Sequence, residues 1–301
     1  MNTIPVDLDR PSTPRIWLQA IRPGTLTAGV VPVVVGSALA YAHGHFRWSV
    51  AVAAVLAAFA VQVMTNLHND YEDYIRGADT EARLGQARAV QKGWLTARQI
   101  LGGVGLAAIM GIGCAIYLFV VAGWPVVAIA LASMLAALAY TGGPFPLAYV
   151  GLGDLFVLLF FGIVAVCGTY YVHAQTVTGA AMVAAIAVGL MATAILVVNN
   201  LRDRHTDVEA NKNTLVVRFG QRFGRLEYTL CLLMPFGLVG VGSLSHIGTA
   251  GWWLPWVCLP LALRLIRSIW TIDGRALNAY LGKTAGLGCL FGGLLAIGAQ
   301  F

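Results

Sequence analysis

Asn199, Asp203 and Asp207 stand at i, i+4 and i+8 where a long apolar run, residues 181–198, gives out. If a helix continues through them, the three side chains share one face, with a drift of roughly 40° per step of four residues. Two carboxylates and an amide gathered on one face repel one another unless a cation sits among them. An all-oxygen set suits a hard ion such as Mg²⁺, which keeps waters and takes phosphate oxygens beside one or two carboxylates. The plain alternative is a hydrated helix end, where Asn and Asp are ordinary cap residues. A second acidic cluster, Asn66-Leu67-His68-Asn69-Asp70-Tyr71-Glu72-Asp73, closes another apolar run far upstream, and Asp79 follows past Gly77. It holds two overlapping i, i+4 pairs, Asn66 with Asp70 and Asn69 with Asp73, and the sequence does not choose which faces inward. The two clusters are expected to face each other and hold a diphosphate through metal ions. Asp70, Asp73, Asp79, Asn199, Asp203 and Asp207 are the candidate ligands.

Basic residues accompany both clusters. Arg83 and Arg88 follow the first, Lys212 and Arg218 follow the second, and Arg22 precedes the first apolar run. Such groups clamp phosphate oxygens, arginine bidentately. The excess of Lys and Arg in cytoplasmic loops of membrane proteins gives the same residues a second reason to be there. Arg202 and Arg204 are expected to point away from the Asn199–Asp207 face. Tyr140 ends an apolar run just before Gly142-Gly143-Pro144, a helix stop that puts it at a cavity mouth. Asp154, in Gly151-Leu152-Gly153-Asp154, reads equally as a substrate contact or as a helix cap.

The elements that must position these groups are membrane helices. The chain is 58% hydrophobic and only 11% charged, with mean hydropathy +0.77. A spanning helix needs about 20 mostly apolar residues. Nine stretches qualify, near 25–42, 48–68, 100–122, 124–141, 154–173, 179–200, 226–244, 252–270 and 283–301. The expected fold is an all-α polytopic membrane protein of nine transmembrane helices around a central cavity. Residues 1–24 form a polar cytoplasmic segment, and 25–301 form one transmembrane domain. Asn66-Leu67 precedes Asp73, and Asn200-Leu201 precedes Asp207, at the same interval. Helices 1–4 and 5–8 are therefore a candidate repeat, with the ninth added.

With the N-terminus cytoplasmic, eighteen of the nineteen Lys and Arg residues fall on that side and only Arg47 on the other. The net charge of +6 is thereby explained without a nucleic-acid partner. The start lacks the basic, apolar and small-residue succession of a cleaved signal, so the first helix is expected to direct insertion. The five cysteines lie in apolar runs without a CxxC and read as small buried hydrophobes. Gly102-Gly103-Val104-Gly105 lacks the strand-turn-helix setting of a phosphate loop, and with Gly282, Gly286, Gly288 and Gly292 it reads as helix packing.

Taken together, the clusters resemble the UbiA superfamily of membrane prenyltransferases, and within it the subgroup that prenylates 1,4-dihydroxy-2-naphthoate in menaquinone synthesis. The resemblance runs nearly the full length. It covers Ile21-Arg22-Pro23, the 66–73 run through Gly77 and Asp79, Arg88 to Gly93, and Tyr140 to Pro144. It continues through Gly151 to Asp154, Asn199-Asn200-Leu201-Arg202-Asp203, Asn211 to Leu215, Leu277-Asn278 and Lys283-Thr284-Ala285. It implies a cavity open sideways to lipid and Mg²⁺ held by the two Asp-rich motifs. Asn69 and Asp73 match the first motif; Asn199, Asp203 and Asp207 match the second. It further implies transfer from polyprenyl diphosphate to the naphthoate ring, with loss of carbon dioxide and diphosphate, in a bacterial cytoplasmic membrane. In that reading Asp73, Asp203, Asp207 and Tyr140 are catalytic. Asn66, Asn69, Arg22, Arg83, Arg88, Lys212 and Asp154 bind substrate.

Two departures stand out. The superfamily's third acidic position, four residues after Asp73, is Gly77 here, which points to the naphthoate subgroup; position 24 is Gly where a basic residue is expected. The competing readings are another aromatic acceptor, such as 4-hydroxybenzoate, and a secondary transporter. A transporter would carry its acids mid-helix rather than at helix ends on one face.

Overall fold

In a membrane every backbone polar group must be satisfied within its own segment, so the apolar runs fold as helices. The structure, a computed structural model, describes residues 10–77, 84–85 and 88–301, with no strand among them. The order is α1 (Thr13–Ile21), α2 (Pro23–Ala42), α3 (Trp48–Ile75), α4 (Ala97–Ala122), α5 (Trp124–Ala139) and α6 (Gly153–Val157). A π-helix (Leu158–Cys167) then leads into α7 (Gly168–Ala174), α8 (Gly179–Glu209) and α9 (Leu215–Leu244). A 3₁₀ stretch (Ala250–Cys258) precedes α10 (Leu259–Thr271), and a 3₁₀ turn (Gly274–Leu277) precedes α11 (Asn278–Gly298).

Among the described residues seven stretches are helical, long and apolar enough to cross a membrane, against the nine expected. The expected span 124–141 is the 16-residue α5, cut off by the Gly142-Gly143-Pro144 stop. The expected span 252–270 divides between the 3₁₀ stretch and α10. Pro255 and Pro260 each remove a backbone donor there and break the regular ladder. The expected polar segment 1–24 contains α1, which buries Ile16 and Ala20 against α3 and α4.

Two helices run past their apolar stretches. α3 continues to Ile75 and α8 to Glu209, so both acidic clusters are helical throughout. α8 is the central pillar: 72% of its apolar stretch is buried within the protein, against 11% for the lipid-facing α4. It can be central because it lies close to its neighbours. A Cβ on Gly162 of the π-helix would meet the Ala185 carbonyl at 2.5 Å and Gly189 Cα at 2.9 Å.

α2, α3, α4, α5, the π-helix and α8 enclose a cavity of about 350 Å³. Its far end is apolar, with Ala54, Leu118, Val126 and Val172; its near end carries Arg22, Asn66, Asn69, Tyr140 and Asn199. From Ala54 to Asn69 along α3 is roughly 22 Å at the helical rise. One wall is aromatic. Phe156, Phe160 and Phe161 line it, and Phe156 and Phe160 stack at 5.7 Å.

Candidate active site

The polar end is built at a corner. Arg22 joins α1 to α2 in a left-handed conformation (φ 56°), uncommon for a residue with a side chain. Asn66 holds that corner: its Nδ2 donates to the Ile21 carbonyl at 2.7 Å and to Thr25 Oγ1 at 2.8 Å, and its Oδ1 accepts from Gln62 Nε2 at 3.1 Å. The amide expected to bind substrate is thus taken up in placing Arg22. From this corner the Arg22 guanidinium pairs with Asp70.

Asp70 and Asp73 are bridged by one arginine. Arg88, itself buried, donates Nη1 to Asp70 at 2.6 Å and Nη2 to Asp73 at 2.5 Å. Asp73 also accepts from Tyr149 Oη at 3.0 Å. The cavity end is left to the amides: Asn69 and Asn66 line it, and Asp70 does not. Thr141 Oγ1 donates to Asn69 Oδ1 at 2.7 Å and fixes that amide.

The second motif mirrors this. Asn199 lines the cavity, with Asp203 and Asp207 one and two turns further along α8. Arg202, expected to point away, instead folds over its neighbour: Nε reaches Asp203 Oδ1 at 2.7 Å and Nη2 reaches Oδ2 at 2.5 Å. Successive helical residues do not face each other, but an arginine stem is long enough to turn back along a buried surface. Arg204 does point elsewhere, and forks Asp273. Asp273 is held down to about 2, chiefly by the hydrogen bond from Arg204. Lys212 Nζ lies 3.6 Å from Asp207 Oδ1, while Asp207 Oδ2 is buried with no hydrogen-bond partner.

Tyr140 joins the two motifs. Its hydroxyl is held protonated far above the usual tyrosine range, first by burial and then by the negative fields of Asp154, Asp73 and Asp207. Tyr140 lines the same cavity as Asn69 of the first motif and Asn199 of the second. Tyr149 is shifted the same way, by burial and then by Asp73. The Arg76 guanidinium and the Lys212 ammonium lie 5.7 Å and 5.9 Å from the Tyr149 ring centre. Asp154 is buried on α6, which has no side-chain cap; it accepts a long hydrogen bond from Asn200 Nδ2 at 3.5 Å. Arg218, a candidate phosphate clamp, instead ties two loops, donating to the carbonyls of Asn213 and Val150. Asp79 and Arg83 lie outside the described residues.

Residues 29–279 match the UbiA prenyltransferase family. The chain belongs to that family. It is 36% identical over 288 residues to 1,4-dihydroxy-2-naphthoate octaprenyltransferase of Escherichia coli K12, covering 91% of each chain. It is 35% identical to the Mycobacterium tuberculosis protein of the same name, covering 94% of this chain and 96% of that one. A UbiA homologue from Archaeoglobus fulgidus, solved with GPP and Mg²⁺, shares the fold at TM-score 0.64 and 13% identity, covering 94% of this chain and 99% of the other. The chain is thus an integral membrane prenyltransferase, and the Archaeoglobus fulgidus homologue of this fold has also been solved with Cd²⁺ bound.

The donor set fits Mg²⁺ in a particular way. Among the described residues no three acidic, histidine or cysteine side chains converge to hold a metal by themselves. The open Asp207 oxygen is a hard, unpartnered donor of the kind that this ion takes together with phosphate oxygens and water.

Proposed function

We propose that this chain transfers a polyprenyl group from polyprenyl diphosphate to 1,4-dihydroxy-2-naphthoate, releasing diphosphate and carbon dioxide and yielding demethylmenaquinol. The observation that carries it is the polarity of the cavity. An apolar shaft suits an isoprenoid tail, and it ends where two charged motifs meet a phenol. The naphthoate prenyltransferase relatives, matched over almost their whole length, support the choice of acceptor.

Charge balance argues for the cation. Among the described residues Asp70, Asp73 and Asp203 are each held by arginine and Asp207 by lysine, so these motif cations are already matched by motif carboxylates. An incoming diphosphate brings more negative charge, which must be met. Asn69, Asp73, Asn199, Asp203 and Asp207 would hold Mg²⁺, which supplies electrostatic stabilisation of the leaving group. Arg22, Arg88 and Lys212 receive diphosphate oxygens. The Phe156, Phe160 and Phe161 faces support the developing allylic cation, and the apolar walls keep water from it. Tyr140, kept protonated, donates toward an oxygen of the acceptor. The N-terminus and the charged loops face the cytoplasm of a bacterial cell.

The test is turnover by the purified protein in detergent with a polyprenyl diphosphate, with and without Mg²⁺, offered dihydroxynaphthoate and 4-hydroxybenzoate in parallel. The expected product is a prenylated, decarboxylated naphthol that requires Mg²⁺ and is lost in Asp203→Ala. Product from 4-hydroxybenzoate alone would overturn the acceptor. No product from either would overturn the reading.

A further inference from the structure

Asn278 opens α11, far in sequence from both motifs, and both ends of its amide are engaged. Oδ1 accepts from Arg202 Nη1 at 2.8 Å, and Nδ2 donates to the Leu84 carbonyl at 2.7 Å. Arg202 is only 4% exposed, and its remaining nitrogens fork Asp203. Leu84 precedes by four residues Arg88, the arginine that bridges Asp70 and Asp73. On the other side Arg88 is anchored by Ala89, Val90 and Leu95, buried in the packing of α1, α3 and α4. One planar group thus ties the arginine over the second motif to the segment that carries the arginine of the first. The amide does this because it offers an acceptor and a donor at once. The guanidinium needs an acceptor and the carbonyl needs a donor; a carboxylate lacks the second and an aliphatic side chain lacks both.

Resting on the prenyl-transfer reading, we propose that Asn278 is a positioning residue of the diphosphate site. Through Arg202 it sets Asp203, and through Leu84 it sets Arg88. It touches neither substrate, so its effect falls on diphosphate affinity rather than on the chemistry.

The experiment compares Asn278→Leu and Asn278→Asp with the unmodified full-length protein in detergent, by steady-state kinetics and by hydrogen exchange of the peptide spanning residues 84–95. In Asn278→Leu the KM for polyprenyl diphosphate is expected to rise about tenfold, with the acceptor KM and kcat within about twofold of the unmodified values. Exchange in the 84–95 peptide rises in both variants, because both lose the donor to Leu84. The protection that Mg²⁺ plus inorganic pyrophosphate gives that peptide weakens in both. Should Asn278→Leu fail to fold, Asn278→Asp, which keeps an acceptor for Arg202, carries the exchange comparison. Unchanged exchange and unchanged diphosphate KM would overturn the proposal, whatever the thermal midpoint does. Failure of the prenyl-transfer reading would show separately, as absent turnover in the unmodified protein.

Discussion

Asp207 is the motif carboxylate with an oxygen left open, and that sets it apart from Asp70, Asp73 and Asp203, which arginines already hold. Asp207→Asn keeps the shape and removes the charge. It is expected to lower kcat by about a hundredfold or more, the scale on which losing one electrostatic partner of a transition state acts; a loss under threefold in the turnover assay would exclude Asp207 from the site. Tyr149→Phe removes one hydrogen bond to Asp73 while Arg88 still holds that carboxylate, so the KM for polyprenyl diphosphate should rise about three- to tenfold with kcat little changed. At this scale the sequence is an uneven guide. The i, i+4, i+8 row on α8 is visible because helical period and residue type coincide there. Tyr149 is not visible, since it stands in a Gly/Pro-rich turn and meets Asp73 only through the fold, 76 residues away in sequence. The Arg202–Asp203 pair is not visible either, because spacing gives the direction of Cβ and not the path of a long side chain.

At the scale of elements, the cavity depends on how closely the π-helix can approach α8. Gly162 and Gly189 meet backbone to backbone, and a side chain on either must push the helices apart. Gly162→Val is expected to cost at least about 1–3 kcal/mol and to lower both the thermal midpoint in detergent and the yield of folded protein. Gly105, on the lipid-facing α4, has nothing within 4 Å of where a Cβ would stand, so Gly105→Ala should leave the midpoint unchanged or slightly raised. Equal midpoints for both variants would refute the close-approach account. Most helices are legible in the sequence because apolar length alone defines them. The π-helix is not: residues 158–167, with Phe160 and Phe161 on the cavity, are apolar on every face, so their periodicity carries no record of the wider turn. The overshoot of α3 and α8 is likewise hidden, because a hydropathy window stops where the polar motif starts while the helix continues.

Across the whole molecule, charge and structure argue for one orientation. Eighteen of the nineteen basic residues are expected from the sequence at the end that carries the two motifs, and the exception has its own explanation. Arg47 Nη2 donates to the carbonyls of Val172 and His173 at 2.5 and 3.1 Å, closing the C-terminal end of α7. Its backbone N–H donates to His173 Nδ1 at 3.2 Å, and His173 stacks on Phe46. A cation at a helix C-terminus is favoured by the exposed carbonyls, so Arg47 is a structural plug rather than a topological signal. Labelling can check this. With the five native cysteines replaced by alanine, single cysteines are placed at Lys92, beside the first motif, and at Gln175, at the opposite end; both sites are exposed. A membrane-impermeant thiol reagent on intact cells is expected to modify Gln175→Cys, and to reach Lys92→Cys only after permeabilisation. Adding Arg47→Leu should leave that pattern unchanged, because seventeen basic residues in Lys92→Cys and eighteen in Gln175→Cys still favour the same orientation. Labelling of Lys92→Cys in intact cells would invert the topology and place both motifs on the side away from the cytoplasm.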